Sequence, residues 1–241
     1  MGNRSVRYRN QMKKTGGSDG GVSVAEGVAK VKELAAVKGD RSYKNGKKRK
    51  GFDQTVELVL HLGIDAKQAD QMLRGAISLP KGTGRTQRVV AFCESELVDA
   101  AKEAGAVEAG GDELIDKVSK GWMDFDVAVA HPRMMSKVGR LGRTLGPQGK
   151  MPSPKAGTVT EDVVAAVREY SAGKLEYRND AGGNIHLPVG KVSFADADLA
   201  ENIDAVVSHM MKIKPAAAKG IYLKKACISA TFTPSVLLAV G

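Results

Sequence analysis

Basic residues, glycines and prolines crowd the stretch from His131 to Thr160, HPRMMSKVGRLGRTLGPQGKMPSPKAGTVT. Arg133, Lys137, Arg140, Arg143, Lys150 and Lys155 lie in it, and no acid falls between Asp126 and Glu161. Glycine lets backbone come close to an anion, while proline fixes φ and removes an N–H donor. The composition predicts a shaped, positively charged loop rather than an element interior, and it fits a solvated connector equally well. A phosphate-cradling P-loop requires G-x-x-x-x-G-K-[ST]; here Gly149-Lys150 is followed by Met151, and Thr144 stands where the first glycine belongs. The glycines at 139, 142, 146 and 149 never fall into the G-x-G-x-x-G dinucleotide pattern either. Motif chemistry therefore excludes a nucleotide site in this stretch.

Other chemistry is equally unassembled. The four histidines, His61, His131, His186 and His209, lack metal-ligand spacing, and no Cys/His cluster accompanies them. A serine elbow of the G-x-S-x-G kind is missing. The carboxylate pairs Asp112-Glu113, Asp124/Asp126 and Glu161-Asp162 fall at helix starts or strand edges, where the helix dipole explains two of them. No catalytic residue, no metal site and no cofactor is expected.

Charge is more informative once it is located. The net charge is +10, and residues 1–50 hold 14 Lys/Arg against 4 Asp/Glu, so the other 191 residues balance to zero. Positive charge concentrated in the first fifth of a chain suits a polyanion, because each neutralised phosphate releases counterions. The basic tracts lack the bulky apolar face of an interfacial helix, so nucleic acid is favoured over a membrane. With 42% hydrophobic and 27% charged residues the chain reads as an ordinary globular protein, long enough for one domain or two. No window approaches a membrane span, and MGNRSVRYRNQMKK lacks the apolar core of a secretory signal. Cys93 and Cys227, far apart and without C-x-x-C, read as buried thiols in a reducing compartment.

Patterning then supplies the scaffold. The first 21 residues carry no sustained period and read as a basic arm that orders on a partner. Ser23-Val24-Ala25-Glu26 has capping-box form, with Val24, Val28, Val31 and Ala35 following at helical spacing. Lys38–Gly51 reads as a basic surface loop. Val56, Leu58, Leu60 and Leu62 alternate as a half-buried strand ending at Gly63, and a second strand is expected within 72–79. From Arg88 the rhythm becomes strand, helix, strand: Val89–Cys93, a helix capped by Ser95, a helix over 112–120, a strand over 125–130, and a helix over 161–171 capped by Thr160. Lys174–Asn179, DAGGN and Ile185–Leu187 predict a hairpin. A helix over 196–212 and strands near 221–223 and 227–231 complete the chain.

This reading gives an α/β and α+β protein of two domains. A split α+β outer domain, residues 1–80 and 174–241, surrounds an inserted three-layer α/β domain, residues 81–173, with hinges at Gly82–Gly84 and Gly173.

The stretch GRLGRTLGPQGKMPSPKAGTVT, together with FDQTVELVLHLGID (52–65), RGAISLPKGTGR (74–85), GWMDFDVAVAHP (121–132), YRNDAGGNIHLPVGKVSF (177–194) and AKGIYLKK (218–225), resembles the large-subunit ribosomal protein of the mobile stalk, the ribosomal protein "L-one" family of bacterial type. The resemblance implies a split outer domain that holds stalk ribosomal RNA, action near the exit site of deacylated transfer RNA, and repression of the protein's own messenger through its leader. It also implies a cytoplasmic, ribosome-bound protein that is a monomer outside the ribosome. On or near the RNA surface it places Phe52, Thr55, Thr231, Arg178, Asn179, Asp180 and His186. The basic Arg4, Arg7, Lys50 and Lys191, with Phe232 and Thr233 beside Thr231, join this set. Arg140, Arg143, Lys150 and Lys155 form a secondary RNA contact or a hinge-facing loop.

Short hydroxyls, cations and an aromatic face suit RNA, which is read through shape, 2′-hydroxyls, phosphates and unstacked bases. Two departures stand out. Where the family usually has Thr-Met-Gly, this chain has Thr231-Phe232-Thr233, which adds a β-carbon where backbone would approach RNA. Lys38–Lys50 looks inserted directly before Phe52. A competing reading, a nucleotide-dependent enzyme on the central domain, needs a phosphate motif that the loop lacks.

Overall fold

Alternation of apolar and polar residues from Thr55 to Leu62 produces a strand with one face wholly buried. The computed structural model describes residues 6–15, 20–36, 52–68 and 70–239, with only the backbone of Val6, Arg7, Lys14 and Thr15. Its helices are α1 (Val6–Thr15), α2 (Val24–Ala36), α3 (Val98–Glu103), α4 (Asp112–Ser119), α5 (Met135–Val138), α6 (Gly142–Leu145), α7 (Val163–Ser171) and α8 (Asp196–Lys212). Its strands are β1 (Thr55–Leu62), β2 (Arg74–Ile77), β3 (Val89–Phe92), β4 (Ala106–Gly110), β5 (Val127–Ala130), β6 (Leu175–Arg178), β7 (Asn184–Lys191), β8 (Leu223–Ala230) and β9 (Val236–Leu238). Mixed helix and sheet, the expected class, is what the chain forms. Backbone contacts divide it into two compact units: Met1–Leu73, Leu79–Thr83 and Arg178–Gly241 in one, Arg74–Ser78 and Gly84–Tyr177 in the other.

In the first unit an antiparallel sheet runs β7-β1-β8-β9. Its inner face is Val56, Leu58, Leu60 and Leu62 with Ile185, Leu187, Ala226, Ile228, Val236 and Leu238, all at most 3% exposed. Helices α2 and α8 cover that face, presenting Val28, Val31 and Leu34 and then Leu199, Ile203, Val206 and Met210, as their helical spacing requires. Burying each such side chain contributes about 1.5–3 kcal/mol. Ser23 caps α2, its Oγ accepting from Glu26 N at 3.4 Å. Strand β1 ends before Gly63, where a β-carbon would sit 2.2 Å from the Ile221 carbonyl oxygen.

The N-terminal arm is more ordered than its charge suggests. Residues 6–15 form α1, which packs on α2. Gln11 is fully buried there, its Nε2 donating to Leu34 O at 2.8 Å.

In the second unit β3, flanked by β4 and β5, forms a parallel sheet. A central strand in such a sheet is covered on both sides, and Val89 to Phe92 are all 0% exposed. Val90 and Phe92 face α4 and the helical run after β5; Val89, Ala91 and Cys93 pack with Ala101, Val167 and Tyr170 of α3 and α7. The Tyr170 hydroxyl donates to Ala156 O at 2.6 Å, and burial, then Glu176 and Glu169, push its pKa up. Strands β2 and β6 form a separate two-stranded sheet.

Several local expectations are corrected. Residues 132–145 are a succession of short helical turns, Pro132–Met134, α5, Gly139–Leu141 and α6, rather than a loop. Met134, Val138, Leu141 and Leu145 are buried, and this 3.6-residue period holds the segment on the core. Strands β6 and β7 do not pair with each other: β6 joins β2 and β7 joins β1, so the expected hairpin does not form. Ser95 lies inside a 3₁₀ turn and makes no capping bond. Asp162, not Thr160, caps α7, accepting from Ala165 N at 2.9 Å. The tail holds one long strand, β8, and an unforeseen β9. Both cysteines are free, Cys93 buried and Cys227 half-buried.

Candidate nucleic-acid interface

The helices of the first unit pack on the Val56–Leu62 side of its sheet, and the other face is mostly polar, around Val59, Pro188 and Cys227. Strand pairing arranges its residues in rows. Asn184, His61 and Lys225 form one row; His186, Val59 and Cys227 the next; Pro188, Glu57 and Ser229 a third. All are half-buried or exposed. His61 Nδ1 and Asn184 Oδ1 lie 2.8 Å apart.

Lys191 and Thr55 close the face at the start of β1, with Lys191 Nζ donating to Thr55 Oγ1 at 2.8 Å. Thr55 N donates to Thr231 Oγ1 at 3.1 Å, and Thr231 N to Thr55 O at 3.1 Å. Phe52, 63% exposed, meets Phe232, 51% exposed, edge to face with centroids 6.0 Å apart.

One residue that sequence reasoning missed organises this corner. Gln54 is 8% exposed; its Oε1 accepts from Phe232 N at 3.0 Å and its Nε2 donates to Ala35 O at 3.3 Å. A lone glutamine in a strand start carries no pattern that would single it out. Thr233 Oγ1 accepts from Ala230 N at 2.8 Å, and Thr233 N donates to Ala230 O at 3.0 Å. Among the described residues no non-glycine has positive φ, so this turn holds threonine without strain.

The Arg178–His186 segment separates into different roles. Arg178 is exposed. Asn179 is 6% exposed and framework rather than surface: its Oδ1 accepts from Leu73 N at 2.8 Å and its Nδ2 donates to Asp180 O at 3.0 Å. The carboxylate of Asp180 accepts from Gly182 N at 2.8 Å, Asn184 N at 2.7 Å and Asn184 Nδ2 at 3.0 Å. Gly183, at φ +75°, completes that turn. His186 Nε2 lies 3.8 Å from Asp180 Oδ2.

The Asn184 side-chain and backbone bonds, with those of Gly182 and the nearby His186, hold the Asp180 carboxyl below the usual range. A depressed carboxylate stabilises the fold above its unfolded pKa and loses that contribution as pH falls through its folded value. Denaturant midpoints of wild type and Asp180→Asn are therefore expected to differ at neutral pH and converge in acid; a gap that widens in acid contradicts this.

The basic stretch of the second unit is partly committed. Arg133 pairs with Glu94 and Lys137 with Asp112. Lys150 Nζ donates to Met123 O at 3.1 Å and lies 5.0 Å from the Phe125 ring centroid. Arg140, Arg143 and Lys155 are exposed, and among the described residues no hydrogen bond or ion pair engages them. Arg4, Lys50 and the Lys38–Lys50 stretch lie outside the described residues, as does the side chain of Arg7. Among the described residues no group of His, Cys, Asp or Glu could hold a metal ion.

A mixed α/β scaffold that displays cations, hydroxyls and exposed phenyl rings beside a mostly polar sheet face offers the chemistry that holds RNA. Residues 42–234 match the Ribosomal protein L1p/L10e family. The Large ribosomal subunit protein uL1 of Nocardioides sp. (strain ATCC BAA-499 / JS614) is 53% identical over 188 residues, 78% of either chain. That of Lactobacillus acidophilus (strain ATCC 700396 / NCK56 / N2 / NCFM) is 50% identical over 216 residues, 90% of this chain and 88% of the relative. The chain belongs to the Ribosomal protein L1p/L10e family, whose members are structural proteins of the ribosome and not enzymes.

Proposed function

We propose that the chain is a cytoplasmic structural constituent of the large ribosomal subunit that binds the ribosomal RNA of the mobile stalk. The carrying observation is the polar sheet face of the first unit, bounded by Lys191, Thr55, Thr231 and the exposed Phe52–Phe232 pair. Cations there meet phosphates, threonine hydroxyls and backbone groups meet 2′-hydroxyls, and aromatic faces meet unstacked bases. In this reading the split outer domain makes the main grip, and Arg140, Arg143 and Lys155 of the inserted domain add phosphate contacts. The same surface serves a messenger leader that imitates the ribosomal site, so the protein represses its own translation. The ribosome-bound form assists release of deacylated transfer RNA from the exit site, and outside the ribosome the protein is a monomer. The names of the relatives support the ribosomal placement.

Sequencing the RNA that copurifies with the tagged protein tests this. Enrichment of the stalk segment is expected, with the protein's own leader as a second peak; enrichment of neither overturns the proposal. Deleting residues 38–50 is expected to flatten the dependence of log affinity on log salt, because counterion release scales with the phosphates neutralised. An unchanged slope removes that stretch from the interface.

A further inference from the structure

We infer that a hydrogen-bond chain from Asp180 through Asn184 fixes one tautomer of His61, leaving its Nε2 on the mostly polar sheet face as an acceptor for a 2′-hydroxyl of the bound RNA while Lys225 beside it takes the adjoining phosphate. The inference rests on the proposed RNA-binding reading and names the residue through which this end of the face tells ribose from deoxyribose.

Strand pairing sets Asn184, His61 and Lys225 abreast on β7, β1 and β8. The row lies toward the far end of β1 from Thr55, about 20 Å away at the rise of an antiparallel strand. The contacts leave His61 one tautomer. Asn184 Nδ2 donates to Asp180 Oδ2 at 3.0 Å and to Oδ1 at 3.3 Å. A turned amide would set its oxygen against that carboxylate, so the Asn184 oxygen faces the other way. There it meets His61, with Oδ1 2.8 Å from Nδ1. An amide oxygen only accepts, so Nδ1 carries the proton, and Nε2 of the neutral ring is then an acceptor. The carboxylate that begins the chain is itself held, by Gly182 N at 2.8 Å and Asn184 N at 2.7 Å. Leu62 N ties the same turn to the end of β1 through Gly183 O at 2.9 Å.

Among the described residues no group engages His61 Nε2, and Lys225 is exposed without an ion pair or hydrogen bond. An acceptor beside an open cation is selective. Lys225 draws a phosphate, but a phosphate oxygen only accepts and gives the imidazole acceptor nothing. The 2′-hydroxyl is the donor that a ribose–phosphate backbone carries and a deoxyribose one lacks. A protein partner rich in lysine or arginine also carries donors, yet Lys225 repels it. RNA satisfies the acceptor and the cation together.

The test uses the full-length protein at about pH 8, above the ordinary imidazole range. Nitrogen-15 spectra of the labelled protein should show the His61 proton on Nδ1, with His61→Phe assigning the signal; a proton on Nε2 overturns the inference. Asn184→Ala should give a mixture of the two tautomers, and an unchanged spectrum overturns the chain. Affinity is then measured for the stalk segment of large-subunit ribosomal RNA made with 2′-hydroxyl or with 2′-fluoro nucleotides, which keep the helix form but cannot donate. Fluorine should weaken wild type about fivefold more than His61→Phe, the equivalent of about 1 kcal/mol and the size of one neutral hydrogen bond. Should His61→Phe fail to fold, Asn184→Ala takes its place in this comparison, with a difference of about twofold expected. An equal loss in wild type and variant overturns the acceptor while leaving RNA binding intact. Failure of wild type to bind the hydroxyl RNA at low salt overturns the inference and the proposed function together.

Discussion

Asn202→Leu is expected to lower the unfolding free energy of the chain by about 3 kcal/mol and the melting temperature by about 10 °C. Asn202 lies in α8 and is 0% exposed. Its Oδ1 accepts from Lys81 N at 3.1 Å, and its Nδ2 donates to Gly82 O at 3.0 Å and Val189 O at 2.8 Å. Leucine has similar volume but leaves one donor and two acceptors unsatisfied at a site that water does not reach, and each orphaned group costs about 1–3 kcal/mol.

The consequence is local as well as global. Residues 79–83 belong to the first unit although both flanking stretches, Arg74–Ser78 and Gly84–Tyr177, belong to the second. Asn202 fastens this short return of the chain to β7 and α8, beside the ion pairs of Lys81 with Asp198 and Glu201. The variant should therefore show faster amide exchange at Lys81 than wild type. Denaturant unfolding followed by circular dichroism measures the global effect; a loss below about 1 kcal/mol means that the loop rearranges to satisfy these groups itself.

That clamp also marks the limit of what residue patterns disclose. The strand over 55–62 and the helix over 196–212 were legible because their apolar periods, two and near 3.6, each serve one buried face. The capping box at Ser23 was legible because a cap is a local bond. The segment 131–145 was misread because glycine and proline content outweighed the quieter spacing of Met134, Val138, Leu141 and Leu145. The arm at 6–15 was misread because its charge hid the buried Gln11, which binds a residue 23 positions away.

Pairing partners were the hardest to see. The DAGGN turn is a sound local signal, and Asp180 does close a turn there. Strand β6 nevertheless pairs with β2, about a hundred residues earlier, and no short-range pattern carries that preference. At the candidate site the recognised family pointed to Phe52, Thr55 and Thr231, which the structure brings together. It could not reveal that Asn179 is framework or that Gln54 positions Phe232, since both follow from hydrogen bonds across long sequence separations.

Lys191→Met is expected to weaken binding of large-subunit ribosomal RNA roughly tenfold at low salt, about 1.4 kcal/mol, and to reduce the salt slope by about 0.9. Thr55→Val, which keeps the charge but removes its anchor, should weaken binding by less and leave the slope unchanged. The reasoning separates two functions of one contact. Lys191 Nζ donates to Thr55 Oγ1 at 2.8 Å, so the ammonium is held at the edge of the polar face before any ligand arrives. An ammonium can make three hydrogen bonds, and this one leaves two for phosphate oxygens. Removing the charge abolishes a counterion-releasing contact, which the slope reports. Removing the hydroxyl frees a long side chain that must then be ordered on binding, which changes affinity at every salt concentration alike. Neither change reaches the buried face of β1, so thermal unfolding should shift little in both variants. A methionine variant with the wild-type slope would show that Lys191 only supports Thr55, and the phosphate contacts of the interface would then lie elsewhere on the unit.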